Sequence, residues 1–187
     1  MKKTFLAVLM ILLWTVASAT AELKVVASAA AELKVGNSAA GFILKDPKSV
    51  EYSLDSPQYQ GKVVIVFYND PGSADLNNEL QKALIAARDS GKIDKAYYQG
   101  LGIANVRDSI VPNFILQRII KRKQEETKAV ILIDPNYTVL NLWGLTRKTS
   151  NIVMLDKQRV CRYLFKGKVP TADIEKVVAL VQEYQVK

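Results

Sequence analysis

Two hydrophobic patterns alternate along this chain: short apolar runs, and longer stretches in which apolar residues recur every three or four positions. The run at 63–68 is continuously apolar and rich in β-branched residues, which predicts a central strand buried on both faces. The turn residues at 46–48 predict a small hairpin between 42–44 and 50–54. Other apolar runs predict strands at 97–106, 129–133, 139–143, 151–155 and 160–165.

Helical spacing predicts three helices between these strands. The first begins at Ser73 or Asp75, either of which can cap it, and ends near Ser90. The second runs from about 112 to 126, and the third from about 170 to 184. Strands that alternate with helices predict an α/β fold, here a three-layer sandwich in which helices flank a central mixed β-sheet. We expect one such domain at residues 32–187.

The first 21 residues have the pattern of a secretory signal peptide. Lys2 and Lys3 precede an uncharged apolar run at 5–16, and a small-x-small cleavage site lies near 19–21. The apolar run has about a dozen residues, fewer than the ~20 needed to span a membrane, so an uncleaved anchor is the weaker alternative. We expect export of the protein, to the periplasm if the source is a Gram-negative bacterium.

A short repeat follows the predicted cleavage site. Residues 17–25 recur at 27–35 with one change, which offers a second, later cleavage site at 27–29. Two copies of a ten-residue period are too few and too short for a repeat fold. We therefore interpret residues 22–31 as a flexible leader.

Composition removes several classes of chemistry. The 187 residues include no histidine and a single cysteine, Cys161. Without imidazole there is no Ser–His or Cys–His nucleophile pair and no histidine metal ligand. One cysteine forms neither an intramolecular disulfide nor a Cys-x-x-Cys pair. The net charge is +8, or +6 once Lys2 and Lys3 leave with the signal segment.

Several segments, in order along the chain, resemble thioredoxin-like proteins of the redoxin or TlpA type: 32–36, 42–46, 61–68, 129–144 and 153–170. Within that class, 94–98, 105–108 and 143–156 resemble the YtfJ-like family of small exported bacterial proteins. The resemblance covers about 32–184. It implies a thioredoxin-like fold and an envelope location, whereas the role of that family is poorly defined.

The chain departs from redox-active members of that class at both chemical elements of their site. Their two cysteines lie where the first buried strand turns into its helix, and here Gly72 and Asp75 stand at those positions. Ser150 stands at about the place of their cis-proline. A thiol–disulfide reaction needs a thiolate there. We therefore expect a redox-inactive protein without catalytic, cofactor-binding or metal-ligating residues.

The best candidate site is the loop that replaces those cysteines. Asp70, Gly72, Ser73 and Asp75 form it, and the resemblance implies that Ser150 lies beside it. A helix that begins there presents free N–H groups to an anion or to the backbone of a partner. The alternative interpretation is an ordinary turn whose Ser73 or Asp75 caps the helix. We expect a protein partner in the cell envelope, and the pattern leaves the oligomeric state open.

Two further features carry alternative functions. Cys161 is either a small buried hydrophobic residue or a reactive thiol that forms a mixed disulfide with a partner. Lys121, Arg122 and Lys123 form either a basic face for anionic surfaces or a solvated helix face balanced by acidic neighbours at 125 and 126. We expect no nucleic-acid partner, because an exported protein rarely meets nucleic acid.

Overall fold

The computed structural model describes residues 32–107, 109 and 111–187, so the predicted signal peptide and leader lie outside the described residues. No helix in the described ranges is both long and apolar enough to cross a lipid bilayer. The elements are β1 Ile43–Lys45, β2 Glu51–Ser53, β3 Val63–Asn69, α1 Asn78–Asp89, β4 Tyr98–Asn105, α2 Asn113–Thr127, β5 Val130–Asp134, α3 Thr138–Trp143, β6 Ser150–Leu155, β7 Cys161–Lys166 and α4 Thr171–Val186.

The strands form one mixed sheet in the order β2-β1-β5-β4-β3-β6-β7. The three central strands β3, β4 and β5 are parallel, and the outer neighbours are antiparallel. Each parallel connection crosses over through a helix, α1 or α2, as parallel pairing requires. The carboxyl ends of β3, β4 and β5 therefore meet at one edge of the sheet, which we call the site edge.

Helices cover both faces of the sheet, which confirms the predicted three-layer α/β sandwich. Because side chains alternate along a strand, Val64 and Val66 point to one face and Ile65 and Phe67 to the other. The first face packs against α3 and the segment 33–59, and the second against α1 and α4, with α2 beside α1. The predicted burial of 63–68 on both faces is confirmed, since each of those residues is at most 7% exposed.

The prediction of a strand at 139–143 is wrong, because these residues form the short helix α3. The buried carboxylate of Asp134 accepts hydrogen bonds from the backbone N–H groups of Thr138 (2.7 Å) and Val139 (2.9 Å), which satisfies donors at the start of the helix. Trp143 is fully buried, packs edge-on against Phe42 and donates its indole N–H to a backbone carbonyl. These tertiary contacts outweigh the local preference of the apolar run for a strand.

The predicted start of the first helix is also wrong. α1 begins at Asn78, and residues 71–73 form a separate 3₁₀ turn. Asn77 stands at the cap position of α1, so neither Ser73 nor Asp75 caps it. Ser73 belongs to the 3₁₀ turn, where its N–H donates to the Asp70 carbonyl (2.9 Å), and the Asp75 carboxylate is engaged by a lysine of α2.

Candidate functional site

The structure brings the loop after β3 next to the segment that precedes Ser150. The Asp70 N–H donates to the Thr149 carbonyl at 3.3 Å, and Asn69 pairs with Ser150 across β3 and β6. The Asn105 side chain, at the end of β4, donates to the Asp70 carboxylate. The pairing of β3 with β6 therefore places Asp70 and Ser150 close together at the site edge, as the resemblance implied.

Ser150 itself is not available to a partner. It is the first residue of β6, it is fully buried, and its hydroxyl oxygen accepts a 2.8 Å hydrogen bond from Asn77. Gly72, in contrast, is exposed and has no atom within 4 Å of the place where a Cβ would lie. The accessible part of the predicted site is thus the turn around Gly72, the half-buried Ser73 and the exposed Asp75, whose carboxylate is paired with Lys123.

Asn77 is a structural residue of this region that the sequence did not reveal. It is 5% exposed, and its amide nitrogen donates both to Ser150 Oγ (2.8 Å) and to the Gly167 carbonyl (3.0 Å). Its amide oxygen accepts from the N–H of Val169 at 2.8 Å. One side chain therefore ties the start of α1 to β6 and to the loop before α4. Because its partners lie 73 to 92 positions away, no local pattern could have indicated this role.

The expected basic face of α2 is wrong for Lys123. That side chain is buried, and its ammonium group donates to Asp75 (2.7 Å) and to Asn78 Oδ1 (2.7 Å). The hydrogen bond from Lys123 is the main reason why the pKa of Asp75 lies below its ordinary value. Burying an amine requires such a partner, which the sequence spacing alone does not show.

Lys121 and Arg122 are exposed, but each is paired with an acid. Lys121 lies 4.0 Å from Glu125, and Arg122 lies 3.7 Å from Glu126 and 3.6 Å from Asp75. The balance by Glu125 and Glu126 that the alternative interpretation anticipated is present in the structure. The three cations therefore do not form one unpaired basic surface.

A second group of cations lies at the site edge, and the sequence analysis did not identify it. The guanidinium carbon of Arg147 lies 4.6 Å from the ring centre of Tyr137, and that of Arg107 lies 5.3 Å from it. Arg147 also donates to the Tyr137 hydroxyl at 2.8 Å. Both arginines are exposed, whereas Tyr137 is buried beneath them. We call these three residues the Arg–Tyr cluster.

The position of the Arg–Tyr cluster follows from the topology. Arg107 comes two residues after the end of β4, Tyr137 comes three after the end of β5, and Arg147 comes three before β6. All three therefore lie where β3 ends in the Asp70 loop. A guanidinium group that stacks on an aromatic ring can still direct planar N–H donors toward a carboxylate or phosphate. Arg107 does not pair with an acid in the part of the chain that the structure describes.

Buried polar groups below this surface serve the fold. Tyr68 donates to Asp134 at 3.1 Å, and burial, followed by the charge of Asp134, raises the pKa of the Tyr68 hydroxyl well above its ordinary value. Asp134 therefore accepts hydrogen bonds from three donors, the Tyr68 hydroxyl and two backbone N–H groups at the start of α3. Within the described ranges, no three carboxylate or thiolate residues come together in a way that could hold a metal ion.

Cys161 lies far from the site edge. It is fully buried and opposite Leu155, which in turn pairs with Val64 near the start of β3. Six residues of extended chain, about 20 Å, separate Val64 from Asp70. Burial raises the pKa of the Cys161 thiol to about 11, against a partial opposing effect of its contact with the Tyr163 carbonyl. Cys161 is therefore a small buried residue, which agrees with the first of the two interpretations given above.

Solved structures define the class to which this architecture belongs. The thioredoxin domain of a thiol-disulfide oxidoreductase from Bacteroides vulgatus superimposes with a TM-score of 0.59 at 16% identity, covering 80% of this chain and 98% of that one. Peroxidoxin BcpB from Mycobacterium tuberculosis gives a TM-score of 0.57 at 16% identity, covering 81% and 97%. The fold is therefore thioredoxin-like, as the sequence resemblance implied.

Sequence comparison identifies the family. The model of the family described as "Bacterial protein of unknown function (YtfJ_HI0045)" matches residues 26–184, and the chain belongs to this family. An uncharacterized protein of Haemophilus influenzae is 29% identical over 141 residues, 74% of this chain and 76% of that protein. The uncharacterized protein YtfJ of Escherichia coli is 26% identical over 107 residues, 56% and 58% of the two chains.

Proposed function

We propose that this protein is an exported, redox-inactive thioredoxin-fold module that binds an acidic segment of a protein partner at the site edge. The observation that carries the proposal is the Arg–Tyr cluster, which presents two exposed guanidinium groups at the same edge of the sheet as the turn at Gly72. Arginine and tyrosine are enriched in protein interfaces, and guanidinium groups bind carboxylates through paired hydrogen bonds.

Two features of the structure favour binding over thiol chemistry. The loop after β3 offers an exposed glycine and a turn stabilised by its own backbone, with no sulfur atom in it. Cys161 is buried about 20 Å away along the sheet, and its raised pKa leaves little thiolate near neutral pH. A mixed disulfide at Cys161 would require the domain to open first.

A basic helix that binds anionic surfaces has less support than the Arg–Tyr cluster. Lys121, Arg122 and Lys123 already have carboxylate partners, which would have to be released before a headgroup could bind. Arg107, in contrast, makes no ion pair within the described ranges, and its guanidinium group lies over the ring of Tyr137. Arg107 at the site edge is therefore a better candidate contact for an acidic partner than the cations of α2.

Export is the part of the proposal that rests on the N-terminal pattern of Lys2, Lys3, the apolar run at 5–16 and the small residues at 17–21. Expression of the full chain in a Gram-negative host, followed by fractionation and N-terminal sequencing, tests it. We expect a periplasmic product that begins near residue 20–22, or near residue 30 if the second site is used. An uncleaved cytoplasmic product would contradict export.

Photo-crosslinking tests the binding surface. The photoreactive residue p-benzoylphenylalanine is introduced at Gly72 and, as a matched control, at Gly41, which is also exposed and has no atom within 4 Å of its Cβ position. We expect one discrete adduct from Gly72 in the periplasm and none from Gly41. The adduct should disappear when Arg107→Ala and Arg147→Ala are combined, and it should persist in Lys34→Ala with Lys48→Ala.

Three results would contradict the proposed surface. The first is an absence of any adduct from Gly72, and the second is an equally strong adduct from Gly41. The third is an adduct at Gly72 that survives loss of both arginines. Mass spectrometry of the adduct then identifies the partner and shows whether the cross-linked segment is acidic.

A further inference from the structure

A cavity of about 340 Å³ lies between the sheet and the helices α1 and α2. Its floor is the face of β4 that carries Gly100, Gly102 and Ala104, and its walls are the apolar side chains Leu84, Ile85, Leu116, Ile119 and Ile120. This volume is at the lower end of the range for small-molecule sites, about 300–1,000 Å³. Most of the lining is hydrophobic, as is usual for such sites.

The cavity exists because β4 carries two glycines on this face, between Tyr98 and Ala104. A Cβ at Gly100 would lie 3.4 Å from the Cβ of Ala129 and 3.8 Å from the Tyr98 hydroxyl, so a side chain there makes ordinary contacts without a clash at its Cβ. A Cβ at Gly102 would lie 2.9 Å from Ile131 Cγ1, so that position is tighter. The floor from Tyr98 to Ala104 covers six residue steps, about 20 Å.

The two ends of the cavity differ in charge. At the end where β4 begins, the lining includes Arg88, Lys95 and Lys128. Arg88 is paired with Asp89 at 3.0 Å, whereas Lys95 and Lys128 are exposed and have no ion-pair partner within the described ranges. Asp94 is the other acid nearby, and its carboxylate accepts from the Ala96 N–H.

At the opposite end, the lining includes the carboxylate of Asp70 and the buried Lys123, whose charge is matched by Asp75. An anionic group is therefore favoured at the Lys95–Lys128 end and disfavoured at the Asp70 end. This difference in charge determines the orientation that a bound amphiphile would take in the cavity.

We propose that the cavity binds a single-chain anionic amphiphile, a fatty acid or a lysophospholipid. Its hydrocarbon chain would lie along Gly100 and Gly102, and its head group would meet Lys95, Lys128 and Arg88. Burial of the chain against the apolar walls supplies the affinity, and the cations select the head group. This site is separate from the Arg–Tyr cluster, so it stands whether or not the proposed partner binding is correct.

Calorimetric titration with ligands that share a twelve-carbon chain tests the chemistry, each used below its micelle concentration. The probes are dodecanoate, 1-dodecanoyl lysophosphatidylglycerol, dodecanol and dodecyltrimethylammonium. We expect saturable one-to-one binding of the anions and binding of the cation at least about tenfold weaker. Tighter binding of either anion identifies the source of the ligand as free acid or lysolipid. Failure of both anions to bind, or equal binding of the cation, would overturn the proposal.

Variants of the cavity floor test where the hydrocarbon chain of the ligand lies. Gly100→Val places a strand-compatible side chain in the open space, so we expect at least about tenfold weaker dodecanoate binding, with a melting temperature that is unchanged or raised because the cavity is filled. The matched control is Gly41→Val, at an exposed glycine with open surroundings, which should bind as the unaltered protein does. Unchanged affinity in Gly100→Val would overturn the placement of the chain.

A second pair of variants locates the head group. Lys95→Gln combined with Lys128→Gln should weaken dodecanoate binding about three- to tenfold and reduce its dependence on salt, while dodecanol binding stays the same. Lys34→Gln combined with Lys48→Gln removes the same charge elsewhere on the surface and should have little effect. Equal losses in the two double variants would overturn the head-group assignment.

Discussion

Asn77 is the residue whose removal we expect to damage this fold most for its size. The variant Asn77→Ala deletes a side chain that is 5% exposed and makes three hydrogen bonds to two other segments of the chain. The N–H of the buried Val169 would lose its acceptor, while the Ser150 hydroxyl can rotate and the half-buried Gly167 carbonyl can reach water.

The structure gives the expected magnitude. An unsatisfied buried N–H costs about 2 kcal/mol, and each of the two other lost hydrogen bonds costs about 1 kcal/mol, so the free energy of unfolding should fall by roughly 3–5 kcal/mol. For a domain of this size, each kcal/mol lowers the melting temperature by about 2–4 °C. We therefore expect Asn77→Ala to melt about 10 °C below the unaltered protein.

Thermal and urea unfolding, followed by circular dichroism and by the fluorescence of the buried Trp143, measure this effect. Asn141→Ala is the matched control, because Asn141 is exposed on α3 and should tolerate alanine. Asn77→Asp keeps the acceptor for Val169 but loses the donor to Gly167, so it separates hydrogen bonding from volume. A melting temperature within 2 °C of the Asn141→Ala control would refute the reasoning.

Two other predictions concern titratable groups. Because the Lys123 hydrogen bond lowers the pKa of Asp75 below 3.8, the ion pair stabilises the folded state above that pH and is lost as the pH falls through the lowered pKa. Asp75→Asn should therefore cost about 1 kcal/mol at pH 7, and this cost should disappear as the pH falls through the lowered pKa, as measured by urea titrations at several pH values. A difference independent of pH would contradict the pair. Cys161, with a pKa of about 11, should resist a thiol reagent at pH 8 at the folded protein and react fully in guanidinium chloride. Rapid labelling of the folded chain would instead support the mixed-disulfide alternative.

The sequence predicted the fold because the elements of the sheet have strong local patterns. The apolar run at 63–68 needs burial on both faces, and only a central strand supplies that. The absence of a second cysteine and of histidine was equally decisive for chemistry, since it does not depend on how the chain folds. Family and fold class, both implied by the resemblance, are confirmed by the comparisons.

Short segments were predicted less well, because their conformation depends on distant partners. The apolar residues at 139–143 favour a strand locally, but the Asp134 carboxylate together with the packing of Trp143 selects the helix. The start of α1 moved from Ser73 or Asp75 to Asn78 for a similar reason, since Asp75 is held by Lys123 of α2.

By itself, the sequence determined most of the order of elements and the lack of a thiol in the loop after β3, because these follow from local periodicity and residue type. The thioredoxin-like class was implied by the resemblance of several segments to that class. Only the tertiary structure decided which polar groups meet. It joined Arg107, Tyr137 and Arg147 from two connections of the sheet, buried Lys123 beside Asp75, and left an apolar cavity above Gly100 and Gly102. Such contacts depend on the parallel pairing of β3, β4 and β5, which brings distant residues to one edge and which no local pattern specifies.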